Sequence, residues 1–228
     1  MLKFYYNPIS PNARRVWLTL LEKEIPFESV LVKLDGDQFQ PEFVTINPFH
    51  HIPVVVDDGF RVVESLAIMD YLEAKYPTPA MLPSEPQALA TVRMVQLVTG
   101  NELFPQIISL IYESEDSAQA ARAKQHIDKV LQFLTQMLGV GVARRRHRSF
   151  FGSEQLTLAD IVAGIGVLSL PNLGINLSNY TKLYEWSERL MQRPAWQKTK
   201  LSAEEFELFK ERVRALVKFR RNKANNNK

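Results

Sequence analysis

The run Asn47-Pro48-Phe49-His50-His51-Ile52-Pro53-Val54-Val55-Val56, with Glu64-Ser65 shortly after it, constrains this chain more than any other feature. The Ile52-Pro53 step opens an apolar strand over 53–56. Asp57-Asp58-Gly59 is a hairpin signal leading into a second strand over 60–63. Glu64-Ser65, an acidic–hydroxyl pair, then opens a helix over 65–75. Two chemical properties attach to this pattern. A cis peptide bond is tolerated essentially only before proline, which makes Ile52-Pro53 a candidate for one. The free N–H groups at a helix start attract a carboxylate.

The surrounding sequence extends the pattern. Residues 2–6 read as a strand and 11–24 as a helix, with Val16, Leu20 and Leu21 on one face and Pro11 in the first turn. Residues 27–34 read as a second strand. The order β-α-β-α-β-β-α through residue 76 fits an α+β, thioredoxin-like layer of mixed sheet and helices. Its first three elements form a βαβ unit, expected to be right-handed. Pro77, Pro79, Pro83 and Pro86 then exclude any helix or strand interior, so residues 77–86 read as a linker. From 87 to 228 the chain reads as an all-α domain. Its helices are expected over 87–112, 118–138, 157–170, 181–191 and 203–219, and Asn225-Asn226-Asn227-Lys228 reads as a disordered tail.

Composition narrows the function. Among 228 residues there is no cysteine, which excludes a disulfide scaffold, a cysteine-ligated zinc site and a protein-thiol nucleophile. Any thiol chemistry must bring its sulfur with the substrate. His50, His51, His126 and His147 lack metal-motif spacing, so no metal is expected. There is no apolar run long enough to span a membrane and no signal-peptide pattern at the start, so a cytoplasmic location is expected. Net charge is +3 but unevenly spread. From Lys210 to the end there are eight Lys/Arg and one acid, and Arg144-Arg145-Arg146-His147-Arg148 forms a second cluster. Charge runs of this kind are usually solvated faces, so no nucleic-acid partner is expected.

These motifs resemble the cytosolic glutathione transferase family over about residues 1–200. The run Ser10-Pro11-Asn12-Ala13-Arg14-Arg15-Val16 is similar to its serine-type members, of the theta, phi or delta kind or a bacterial class. The resemblance implies a homodimeric enzyme that activates the thiol of glutathione and joins it to hydrophobic electrophiles, isothiocyanates or peroxides among them. No cofactor is implied beyond glutathione as co-substrate. Ser10 is then the catalytic hydroxyl, with Tyr6 its rival, because tyrosine-type members use a tyrosine at the end of the first strand. Glu64 and Ser65 are expected to hold the γ-glutamyl group. Ile52, before a cis Pro53, should present its backbone to the cysteinyl unit, with His51 beside it. Gln38 should meet the glycyl end, although Phe39 stands where many relatives carry a lysine. Tyr6, Phe104, Ile108 and Tyr112 are candidates for the second-substrate pocket. Phe206, Phe209, Val213 and Leu216 form a further helical stripe that reads mostly as core. Thr157-Leu158-Ala159-Asp160, after Phe150-Phe151-Gly152, looks like the buried capping helix of the family's second domain, with a structural role. A non-catalytic carrier or interaction domain is the alternative. A glutathione-dependent isomerase is disfavoured, because those relatives carry Ser-Ser-Cys where this chain has Ser10-Pro11-Asn12.

The required chemistry is affordable with these residue types. A free thiol has a pKa near about 8.5, and lowering it by about two units needs about 2.7 kcal/mol of preference for the anion. One hydroxyl hydrogen bond to an anion supplies about 1.5–3 kcal/mol. A helix N-terminus adds about 0.3–1 kcal/mol.

Overall fold

The computed structural model describes residues 1–138 and 149–226. The chain divides into two compact units. One comprises Met1–Pro83 with Met191–Lys200, and the other comprises Ser84–Leu190 with the residues from Leu201 on.

The first unit is built on a four-stranded mixed sheet of order β2-β1-β3-β4. Its strands are β1 (Lys3–Tyr6), β2 (Glu28–Leu31), β3 (Val54–Asp57) and β4 (Phe60–Val63). β1 and β2 run parallel, and β3 is antiparallel to both β1 and β4. Helices α1 (Pro11–Glu22), α2 (Pro41–Ile46) and α3 (Ser65–Lys75) complete the α+β layer. Strand alternation sorts the side chains. Phe4 and Tyr6 share a face, where Tyr6 meets Trp17 of α1. Tyr5 joins Val54, Val32 and Phe43 in a cluster on the other face. Each fully buried aliphatic or aromatic side chain here is worth about 1.5–3 kcal/mol. Asp58 and Gly59, both at positive φ, make the β3–β4 turn that the Asp-Asp-Gly signal predicts.

α1 stops at Glu22 rather than running to 24, because Glu24 takes a φ of 53°. β2 covers only four of the eight residues read as strand. The proline-rich stretch after α3 is held by a buried ion pair. Lys23 Nζ donates to Glu73 Oε2 and to the Pro79 carbonyl, each at 2.6 Å. Glu73 Oε1 accepts from the backbone N–H groups of Met81 and Leu82. Chain periodicity gave no sign of α9 (Pro194–Thr199), which belongs to this unit. Arg193 fastens it to Glu22 through two hydrogen bonds of 2.9 and 2.6 Å. Arg14 Nε donates to the Thr199 carbonyl.

The second unit is helical: α4 (Pro86–Val98), α5 (Phe104–Tyr112), α6 (Ala118–Met137), α7 (Leu158–Val167), α8 (Thr181–Met191) and α10 (Ala203–Asn226). The single helix expected over 87–112 is interrupted by a π-helical segment at Thr99–Leu103. Every residue of α7 is buried. Gly166 lets it approach that segment closely, since a Cβ there would lie 2.9 Å from Leu103 Cδ2. Gly152, at φ 72°, leaves no room for a side chain against the Ala88 carbonyl. α10 continues to Asn226, so Asn225 and Asn226 are helical rather than a tail. Its sequence is rich in helix formers. Arg221 also pins it by donating to Glu113 and lying 4.2 Å over the Tyr112 ring. The Arg144–Arg148 cluster lies outside the described residues. Among the described residues no helix is long and apolar enough to cross a membrane.

Candidate active site

The sheet register gathers the sequence-predicted motifs of the first unit. Tyr5 pairs with Val54, and Val54 pairs with Val63. The end of β1, the start of β3 and the end of β4 therefore share one edge of the sheet. Ser10, Ile52-Pro53 and Glu64-Ser65 leave the sheet at that edge, although more than fifty residues of sequence separate the first from the last.

Ser10 is the N-cap of α1, in extended conformation, and its Oγ accepts from the Ala13 N–H at 3.3 Å. That bond uses an oxygen lone pair and leaves the hydroxyl proton free for an anion. The first turn of α1 carries no acid, so the positive end of its dipole is not cancelled. Asn7 sets the loop that delivers Ser10. Its Nδ2 donates to the Val32 carbonyl, its Oδ1 accepts from Ile9 N–H, and its own carbonyl accepts from Ser10 N–H.

The Ile52-Pro53 bond is cis. Asn47, buried in the preceding loop, donates from Nδ2 to the His51 carbonyl at 2.7 Å and accepts from Phe49 N–H. His51 itself is exposed. His50 takes a φ of 58°, a left-handed conformation that a glycine adopts without steric cost, and its Nδ1 lies 3.0 Å from the Gln38 carbonyl. Gln38 sits in a short 3-10 turn (Asp37–Phe39) and accepts through Oε1 from Gly36 N–H. Phe39 is 63% exposed, with its ring 5.1 Å from that of His50.

Glu64 has φ 69° and ψ 117°, a strained combination for a residue with a side chain. It caps α3, and Ser65 is the first helical residue. The strain directs the Glu64 side chain to the surface while Ser65 is buried. Beneath Ser65 lies Arg15, which is not among the residues the motifs mark out. Arg15 is 6% exposed, and its Nη1 donates to Ser65 Oγ at 3.4 Å. Burial lowers its pKa to about 10, so it remains a cation at neutral pH. The signal available in sequence was its place on the apolar side of α1, at helical spacing from Leu18 and Thr19.

The residues proposed for a second pocket divide between the units. Tyr6 packs between Phe4 and Trp17 in the first. On α5 in the second, Ile108 is 40% exposed, Phe104 is half-buried, and Tyr112 lies under Arg221. Among the described residues, no group of three His, Asp or Glu converges to hold a metal ion.

Comparison with known proteins bears on both units. The chain matches the glutathione S-transferase N-terminal domain over residues 9–75 and the glutathione S-transferase C-terminal domain over residues 84–194. It is 28% identical to glutathione S-transferase D7 of Drosophila melanogaster over 221 residues, covering 94% of this chain and 95% of that protein. It is 29% identical to maleylacetoacetate isomerase of Mus musculus over 187 residues, covering 80% of this chain and 84% of that one. A delta-class glutathione transferase of Nilaparvata lugens shares the fold, with a TM-score of 0.78 at 24% identity over 94% of this chain and 99% of that one. With both of its domains matched in order, the chain belongs to the glutathione S-transferase family, enzymes that transfer glutathione.

Proposed function

We propose that this enzyme conjugates glutathione to hydrophobic electrophiles, with Ser10 stabilising the thiolate. The observation that carries this reading is the convergence of a capping hydroxyl, a cis-proline turn and a helix-opening serine on one sheet edge. Glutathione supplies the sulfur, and no metal or other cofactor takes part. The Ile52 backbone, freed from the ladder by the turn before β3, holds the cysteinyl unit. Ser65 at the start of α3 receives the γ-glutamyl carboxylate, with the Arg15 cation behind it, and Glu64 accepts from the ammonium. Gln38 and His51 meet the glycyl end. The enzyme then acts by proximity and electrostatics, without a covalent intermediate. It works in the cytoplasm as a homodimer. The isomerase activity named for the mouse relative is not favoured, because the chain has no cysteine and Ser10-Pro11-Asn12 replaces Ser-Ser-Cys.

The test is steady-state turnover of glutathione with 1-chloro-2,4-dinitrobenzene and with phenethyl isothiocyanate. Saturable, enzyme-dependent conjugation of either is expected. No turnover together with no glutathione binding by calorimetry would replace this reading with that of a carrier or interaction domain. Within an active enzyme, Ser65→Ala is expected to raise KM for glutathione about tenfold with kcat nearly unchanged, since it removes binding common to ground and transition states. An equal fall in kcat would move Ser65 into the chemical step.

A further inference from the structure

We propose that the C-terminal half of α10 docks on anionic lipid surfaces. This helix has two apolar faces. The inner one packs on α5: Phe206 and Val213 are buried, Arg214 Nε donates to the Ile111 carbonyl, and Arg221 reaches Glu113. The outer one runs Leu208, Arg212, Ala215, Leu216, Phe219, at spacings of four, seven, eight and eleven from the first, which keeps them on one side of a helix. Leu208, Leu216 and Phe219 are 42%, 49% and 66% exposed. Leu216 therefore leaves the core stripe in which its sequence neighbours place it.

Charge decides what covers this face. From residue 212 to 226 there are six Lys/Arg and no acid; Arg214 and Arg221 bond on the inner face, so Arg212, Lys218 and Arg220 are the cations of this run that accompany the outer one. The chain before Lys210 is net acidic, with 20 basic and 24 acidic residues. A run of cations beside an exposed Leu/Phe stripe is the composition of helices that lie in a membrane interface. A polyphosphate backbone would take the cations but gain nothing from the stripe, so nucleic acid fits less well. The binding is peripheral, because those same charges exclude the helix from the hydrocarbon core. A merely solvated basic face would carry no such stripe.

The test is co-sedimentation of the full-length protein with large vesicles, either neutral phosphatidylcholine or the same lipid with about 30% phosphatidylglycerol. Partitioning at least about tenfold stronger into the anionic vesicles is expected, weakening steeply with added salt. Phe219→Glu is expected to reduce it about tenfold or more, and Lys218→Glu with Arg220→Glu to abolish it. Circular dichroism of each variant checks that α10 still forms. Equal partitioning into both vesicles, or none, would overturn the proposal. So would binding unaffected by Phe219→Glu. Salt-sensitive capture of single-stranded RNA that survives Phe219→Glu, without vesicle binding, would assign the face to nucleic acid instead.

Discussion

Replacing Ser10 by alanine is expected to lower kcat/KM for conjugation by about 100-fold or more, equivalent to about 2.7 kcal/mol of lost anion stabilisation. The magnitude follows from the geometry. Ser10 Oγ already accepts from Ala13 N–H, which aligns the hydroxyl and leaves its proton for the sulfur. The diagnostic readout is the pH profile. If Ser10 lowers the thiol pKa, the rising limb of kcat at saturating glutathione, which reports the bound thiol, moves from about 6.5 in the wild type toward about 8.5, the value of a free thiol, in the variant. A capping role alone would cost about 1 kcal/mol of stability and leave the limb where it was. Ser10→Thr, which keeps both the hydroxyl and the cap, should retain much of the activity. Full activity in Ser10→Ala would move the assignment to Tyr6, and Tyr6→Phe would then be the variant to measure.

Asp160→Asn is expected to destabilise the second unit by about 3 kcal/mol, lowering Tm by roughly 10 °C. Asp160 is completely buried at the start of α7. Oδ1 accepts from Phe151 N–H at 3.0 Å and from Trp186 Nε1 at 2.8 Å. Oδ2 accepts from Thr157 N–H at 2.7 Å and lies 2.7 Å from Thr157 Oγ1. One side chain thus joins the Phe151 loop, the helix cap and α8. An amide supplies one acceptor where the carboxyl supplies two. It also turns an N–H₂ toward donors.

The pH dependence of that cost has a definite sign. Burial pushes the Asp160 pKa up to about 6, against the opposing pull of its hydrogen bonds. The protonated form is therefore favoured on folding. Its contribution is complete below the unfolded value near 3.8 and is lost as pH rises through about 6. The proton has a place to go. Thr157 Oγ1 lies 3.1 Å from the Phe151 carbonyl, so the acid can donate to Thr157 while Thr157 donates onward. Asparagine does not titrate, so the penalty of Asp160→Asn should shrink by about 2 kcal/mol between pH 4 and pH 7. Denaturant melts of both proteins across that range measure it. A penalty that grows with pH would mean that the four donors outweigh burial and that the carboxylate is the native form.

Much of this molecule was legible in its sequence because the signals were local. The Asp-Asp-Gly turn sets its own geometry through two residues at positive φ. Pro11 and Ser10 start α1 from within one turn, and the Thr157…Asp160 pair marks the start of α7 from three residues away. The Ile-Pro step and the Glu-Ser pair are read the same way, and family resemblance turned them into a site. Even the absence of cysteine decided something, namely that sulfur must arrive on the substrate. Tertiary structure alone decided the rest. The strand pairing that puts Tyr5, Val54 and Val63 in one row makes three distant motifs neighbours. Arg15 became a buried cation under Ser65 only when α1 and α3 packed; in sequence only its helical spacing from Leu18 and Thr19 separates it from Arg14. The strained backbone of Glu64 persists because the structure on both sides holds it. The return of Pro194–Thr199 to the first unit rests on Arg193 and Glu22, charges 171 residues apart in sequence. Local patterns determine which elements form, because capping, turns and periodicity act within a few residues. Which side chains meet depends on contacts that exist only once those elements have packed.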